Sequence, residues 1–297
     1  MPTYKSNGKL LLTGEYVVLD GALSLALPTK FGQSLTVNPS VKNSITWQSI
    51  DHNNKVWFED IITAGISKSK NDISKRLIQI LNVVNDLNPE FFNLKKGYHI
   101  TTRLDFPKNW GLGTSSTLIN NIASWLNLDP YKLLESTFGG SGYDIACAQY
   151  DSPITYQLNN NLKEINTVNF NPEFKAHLFF VFLNKKQNSR DSIIQYNKNK
   201  FNIKPVVSEI NAITNQIIHC KNLVDFETLI EKHEQIISKI INLKPIKENL
   251  FSDFNGAIKS LGGWGGDFIL AISKKDPSSY FKSKGFHTIL KYSDMIL

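Results

Sequence analysis

Apolar positions recur with two different periods along the chain. Over the first 37 residues the apolar runs are short, "KLLLTG", "YVVL" and "QSLTV", with Gly14, Asp20-Gly21 and Pro28 between them, a pattern that predicts strands. "YHITTRLDF" alternates Tyr98, Ile100, Thr102 and Leu104 and predicts another strand. Helical spacing of Ile73, Leu77, Ile80, Leu81 and Val84 predicts a helix over 72–84. A second helix places Leu118, Ile119, Ile122, Trp125 and Leu126 on one face, and Asp129-Pro130 is an N-cap and first-turn proline leading into a third, "YKLLESTF". "GGSGYDIACAQYDSPITYQL" reads as a glycine-rich turn running into a strand, and "AHLFFVFL" as a strand buried on both faces. The rest is predominantly helical. One helix is marked by Val206, Ile210, Ile213 and Ile217, another by Phe226, Leu229, Ile230, His233, Ile237 and Ile240. The last is marked by Leu250, Phe251, Phe254, Ala257 and Leu261, before "SLGGWGGDFILAI" and its strand "FILAI". No repeat or long linker is present, so a domain boundary near residue 165 is expected to be a packed junction.

Composition narrows the class of protein. The 297 residues are 41% hydrophobic and 20% charged, an ordinary globular balance, and the length allows one large domain or two of ordinary size. The formal charge of +7 comes from scattered lysines, with arginine only at Arg76, Arg103 and Arg190. A nucleic-acid binder would cluster them in a stripe with interleaved aromatics, so the charge fits small anionic substrates better. Cys147 and Cys220 are too few and too far apart for a disulfide framework or a metal cluster, and cytoplasm is the default expectation. Glu15 and Asp20 interrupt "GKLLLTGEYVVLDGALSLAL", so neither a signal-peptide core nor a membrane span is expected there.

The corner "FPKNWGLGTSSTLINNIASWL" raises the first chemical question. The opening N–H groups of a helix lack intrahelical partners and carry partial positive charge, which suits an anion; a plain tight turn is the alternative. Gly111 and Gly113 leave the backbone open to a polyphosphate, while Thr114, Ser115 and Ser116 add hydroxyls for phosphate oxygens or magnesium. The chain has neither the glycine spacing of a Walker A loop around Gly8-Lys9 nor a strand-to-helix G-x-G-x-x-G, so a nucleotide would need another cradle.

Three segments in order, "GKLLLTGEYVVLDG", "PKNWGLGTSS" and "KSLGGWGGDF", resemble the three motifs of the GHMP kinase superfamily, named for galactokinase, homoserine kinase, mevalonate kinase and phosphomevalonate kinase. "GSGYDIA" further resembles the segment carrying the catalytic aspartate in the mevalonate-pathway branch. The resemblance implies a two-domain α/β (α+β) fold. Residues 1–165 would form an ATP-binding domain like ribosomal protein S5 domain 2, and residues 166–297 a ferredoxin-like domain. It also implies ATP and magnesium, a small-molecule acceptor, and neither nucleic acid nor membrane; a homodimer is compatible with it.

The site residues it implies follow from the matching positions. Asp144 would be the base for the acceptor hydroxyl and Lys9 its cationic partner. Gly111, Leu112, Gly113, Thr114, Ser115 and Ser116 would cradle phosphates, with Gly263, Gly265 and Gly266 approaching from the third motif. Ser115 and Glu135 would hold magnesium. Tyr16, Lys186, Ser189 and Arg190 are substrate-side candidates. Trp264 departs from the small residue the family prefers, and its indole would either narrow the nucleotide site or swing outward over it. His233, on an apolar helical face, reads as a core histidine.

The implied reaction is transfer of the γ-phosphoryl group to a hydroxy acid or its phosphate, mevalonate or 5-phosphomevalonate, in isoprenoid biosynthesis. The alternatives are another sugar or alcohol kinase of the family, diphosphomevalonate decarboxylase, or a non-catalytic ligand-binding homologue.

Overall fold

The computed structural model describes residues 1–63, 69–92, 97–160, 162–187 and 189–297, with the side chains of 189–191 outside that description. The N-terminal half of the chain forms β1 (Thr3–Leu11), β2 (Ser24–Ser40), β3 (Ile45–Ile50), β4 (Val56–Ile62), α1 (Asp72–Leu87), β5 (Gly97–Leu104), α2 (Thr114–Leu126), α3 (Pro130–Glu135) and α4 (Tyr143–Gln149). Then follow β6 (Ile154–Asn159), β7 (Leu162–Thr167), β8 (Leu178–Phe182), α5 (Ser189–Asn199), α6 (Ile203–His219) and α7 (Leu223–Ile241). The chain closes with α8 (Ile246–Leu250), β9 (Ala257–Ser260), β10 (Phe268–Ile272), α9 (Ser278–Ser283), β11 (Ile289–Lys291) and α10 (Tyr292–Met295).

Contacts divide the chain into two compact units, each built from separate stretches. The first is Met1–Gly8, Phe31–Lys108 and Gly113–Gln149; the second is Lys9–Lys30, Asn109–Leu112 and Tyr150–Leu297.

In the first unit β3 pairs antiparallel with β4 and parallel with β5, and β5 pairs antiparallel with the Gln33–Ser40 part of β2. Alternate residues of β3, Ile45, Trp47 and Ser49, are buried, as one covered face requires. That face meets Leu77, Ile80, Leu81 and Val84 of α1 and Ile119 and Ile122 of α2, the same residues whose spacing predicts the helices. Asn71 caps α1 by accepting the Ser74 N–H at 2.9 Å, and Asp129 caps α3 by accepting the Tyr131 N–H at 2.8 Å.

In the second unit β8 and β10 run side by side in a four-stranded antiparallel sheet ordered β11-β8-β10-β9. Every residue of β8 and β10 is buried, in agreement with an unbroken apolar run covered on both faces. The mixed α/β class implied by the family resemblance is the class observed.

Four local expectations give way, the first at "YDIACAQ", which forms the helix α4 between the glycine-rich turn and the strand β6. "YVVL" is a short 3-10 helix, Val17–Asp20, because Tyr16 at φ 65 and Gly21 at φ 86 turn the chain out of extended geometry at both ends. Pro28 lies inside β2, where its carbonyl accepts the Leu297 N–H at 3.2 Å. The helix expected over 250–261 is α8 followed by β9. Asn255-Gly256 breaks it, with Gly256 at φ 152, and Ala257 and Ile258 are buried by pairing with Ile272 and Ala271 instead.

Candidate active site

The second glycine loop enters α2 through Gly113, which caps the helix in left-handed geometry (φ 91, ψ 38) that a β-carbon would oppose. Among the described residues no side-chain hydrogen bond caps this end, so its first N–H groups suit an anion. The three hydroxyls differ in role. Ser115 is exposed and Thr114 half-buried, whereas Ser116 is buried and donates to the Gly113 carbonyl at 2.9 Å.

A buried polar network anchors that helix. Ser6 donates to Asn121 at 2.8 Å and accepts from Asn120 at 2.9 Å, while Asn121 donates to the Gln33 carbonyl at 2.9 Å. Gln149 of α4 donates to Asn120 at 2.9 Å, which ties α4 to α2. Asp144 stands half-buried in the first turn of α4. Glu135, the last residue of α3, is exposed.

In the second unit the Lys9 N–H donates to the Leu112 carbonyl at 3.1 Å, joining β1 to the second glycine loop. Lys9 is buried, and its charge acts on both Glu15 and Asp267. Gly111, at φ +73, faces Asp267 so closely that a β-carbon there would lie 2.6 Å from the carboxyl carbon. The third loop packs on residues 185–187: a β-carbon on Gly263 would meet Gln187 at 2.5 Å, and one on Gly266 would meet the Lys185 carbonyl at 2.8 Å. Gly265, by contrast, is exposed at φ +86.

Trp264 and the substrate-side candidate Tyr16 meet each other. The Trp264 N–H donates to the Tyr16 hydroxyl at 3.2 Å, and both side chains join a buried cluster with Val17, Tyr196, Ile210 and Ile237. The indole is therefore turned into the helical core, 3% exposed, instead of swinging outward. Tyr16 stacks on Tyr196 at 5.9 Å, and burial pushes its hydroxyl up to about 12. Tyr196 donates to Asp20 at 2.5 Å, and Lys200 pairs with Asp20 at 2.9 Å.

Beneath the first loop lies a charged cluster with almost no access to water. Lys259 of β9 pairs with Glu15, stands 3.9 Å from Glu234, and donates to the Ser260 carbonyl at 3.0 Å. Glu234 accepts from the Ser260 N–H and hydroxyl at 3.1 and 2.7 Å. His233 accepts the Gly14 N–H at 2.9 Å through Nε2, so that nitrogen carries no proton; burial and Lys259 hold the imidazole well below its ordinary range. It is the core histidine expected from its apolar face.

Burial raises Glu15 and pushes Glu234 up to about 7, against the opposing charge of Lys259. The folded state thus holds the Glu234 proton more tightly than the unfolded chain. The stability this contributes is complete below the ordinary value of 4.5 and is lost as pH rises through about 7. Glu234→Gln keeps the acceptor for Ser260 but cannot ionise. In urea unfolding, the variant is expected to match the wild type near pH 4.5 and to be the more stable above pH 7; a pH-independent difference would contradict the assignment.

Of the residues singled out from sequence, Gly113, Thr114, Ser115, Ser116, Glu135 and Asp144 fall in the first unit. Lys9, Gly111, Leu112, Gly263, Gly265, Gly266, Tyr16 and Lys186 fall in the second. Lys186 is exposed and its charge acts on Asp267, while the side chains of Ser189 and Arg190 lie outside the described residues. Sequence reasoning missed the buried Glu15–Lys259 pair and the Asp267 carboxylate beside Gly111 and Gly263. The available signals were single charges inside apolar stretches, Glu15 in "LLLTGEYVVL" and Lys259 in "AIKSL".

The fold is that of the GHMP kinases. The mevalonate kinase of Methanococcus jannaschii is similar over 98% of this chain and 98% of its own, at 18% identity and a TM-score of 0.71. The phosphomevalonate kinase of Streptococcus pneumoniae, solved with phosphomevalonate and AMPPNP, is similar over 100% of this chain and 98% of its own, at 18% identity and a TM-score of 0.65. The galactokinase of Lactococcus lactis complexed with galactose is similar over 95% and 87%, at 12% identity and a TM-score of 0.66. No family model and no curated protein sequence matches the chain. Among the described residues no helix is long and apolar enough to cross a membrane.

Proposed function

We propose that this chain is a magnesium- and ATP-dependent phosphotransferase whose acceptor is mevalonate or 5-phosphomevalonate. The reading is carried by the three glycine motifs, in order, on a fold shared with kinases of both acceptors. Phosphoryl transfer depends on positioning and charge neutralisation more than on covalent help from the protein. Gly113, Thr114 and the opening N–H groups of α2 would hold phosphate oxygens, and the family resemblance assigns phosphate contact also to Gly111, Leu112, Gly263, Gly265 and Gly266. Asp144 would accept the acceptor's hydroxyl proton as that oxygen attacks, and Lys9 would oppose the developing negative charge.

The donor chemistry fits magnesium. Among the described residues no three His, Cys, Asp or Glu side chains cluster as a metal site. Magnesium bound through one or two protein oxygens, phosphates and water needs no such cluster, and the exposed hydroxyl of Ser115 and carboxylate of Glu135 are donors of that kind. When bound, the ion would neutralise phosphate charge. Tyr16 is buried and holds the third loop, which favours a supporting role over substrate contact; Lys186, Ser189 and Arg190 remain the substrate-side candidates.

Galactokinase shares the fold, so a sugar acceptor is the second reading. Burial of the Trp264 indole in the helical core removes one reason to favour a non-catalytic homologue. The deciding assay is magnesium-dependent ADP release with mevalonate, 5-phosphomevalonate and galactose side by side. Turnover is expected with one of the first two; turnover with galactose alone would replace the acceptor, and none with any would overturn the reading.

A further inference from the structure

We propose that Asp267 is a positioning residue for the nucleotide phosphates, joining the second and third glycine loops and the 185–187 segment through one carboxylate; this rests on the kinase reading above. Its Oδ1 accepts the Gln187 N–H at 3.1 Å and its Oδ2 accepts the Gly263 N–H at 3.3 Å. Its main chain is held as well: its N–H donates to the Lys185 carbonyl at 2.7 Å, and its carbonyl accepts the Leu183 N–H at 2.9 Å. Gly111 reaches the same carboxyl from the second loop, within a distance that leaves no room for a β-carbon.

Backbone geometry argues that the carboxylate itself is required. Asp267 has φ 55, a left-handed conformation that glycine adopts freely and asparagine tolerates. If the position served only to turn the chain into β10, glycine would serve it with less strain. Asp267 is also only 7% exposed, and burial raises its carboxyl against the two N–H donors and the charges of Lys9 and Lys186. A buried anion beside loops meant for phosphate is unfavourable unless it does something that solvent cannot. Here it holds backbone segments that have few side chains of their own to pack.

The test is calorimetric binding of a non-hydrolysable ATP analogue with magnesium to the full chain, followed by steady-state kinetics. Asp267→Asn and Asp267→Gly both accept the left-handed backbone and are expected to unfold near the wild-type temperature. Both should weaken nucleotide binding by about ten-fold or more, the effect of losing hydrogen bonds to a charged group, and should raise KM for ATP while leaving KM for the acceptor unchanged. Gly111→Ala should cost less nucleotide affinity in the Asp267→Gly background than in the wild type, because the group it collides with is gone. Affinity within about two-fold of wild type, an equal rise in both KM values, or additive costs in the double variant would overturn the role of Asp267. Failure of the wild-type chain to bind nucleotide would instead overturn the kinase reading itself, before any variant is compared.

Discussion

Asp144→Asn is expected to lower turnover by roughly two to four orders of magnitude, the usual contribution of a positioned general base. The substitution keeps the size of the side chain and its place in the first turn of α4. It removes the group proposed above to take the acceptor's proton. Nucleotide affinity should stay within about three-fold of the wild type, because the phosphate cradle assigned above does not include this residue. Single-turnover measurements with saturating nucleotide separate the two effects. A variant that retains turnover within about ten-fold of wild type would remove Asp144 as the base and return it to the commoner role of a helix-start aspartate.

Lys259→Met should produce the largest loss of stability. The ammonium group is fully buried, and its partners Glu15 and Glu234 are each 2% exposed. Removing the cation leaves a carboxylate without compensating charge in a medium that solvates it poorly, at a cost of about 3–5 kcal/mol. For a chain of this size that corresponds to a fall in melting temperature on the order of 10 °C, read by calorimetry. Adding Glu15→Gln removes the stranded charge and should recover a substantial part of the loss. A double variant less stable than Lys259→Met by the full cost of Glu15→Gln alone would show that the two side chains are not energetically coupled.

Several parts of the fold can be read from local pattern because local physics decides them. Asn71 and the apolar spacing after it specify α1; Asp129-Pro130 specifies α3; the unbroken "LFFVF" specifies a strand covered on both faces. "YVVL" and 250–261 could not be read in the same way. A short apolar run buries equally well as strand or helix, and the choice falls to what it packs against. Ala257 is spaced for a helix but finds its partner in Ile272 of β10.

The candidate site divides along the same line. Order and composition of the glycine motifs carry the family resemblance, because phosphate-binding loops require glycine and hydroxyl residues at closely spaced positions. The resemblance is also what singles out Asp144, Lys9 and Ser115. By itself, the sequence determined the helices with clear caps and periodicity, the buried apolar strand and the glycine-rich corners. Only the tertiary structure decided that Glu15 pairs with Lys259 from 244 positions away, that Trp264 fills a core beside Tyr16, and that Asp267 gathers three segments. Those contacts join residues distant in the chain, and their energies come from burial and charge neutralisation, which no local pattern encodes.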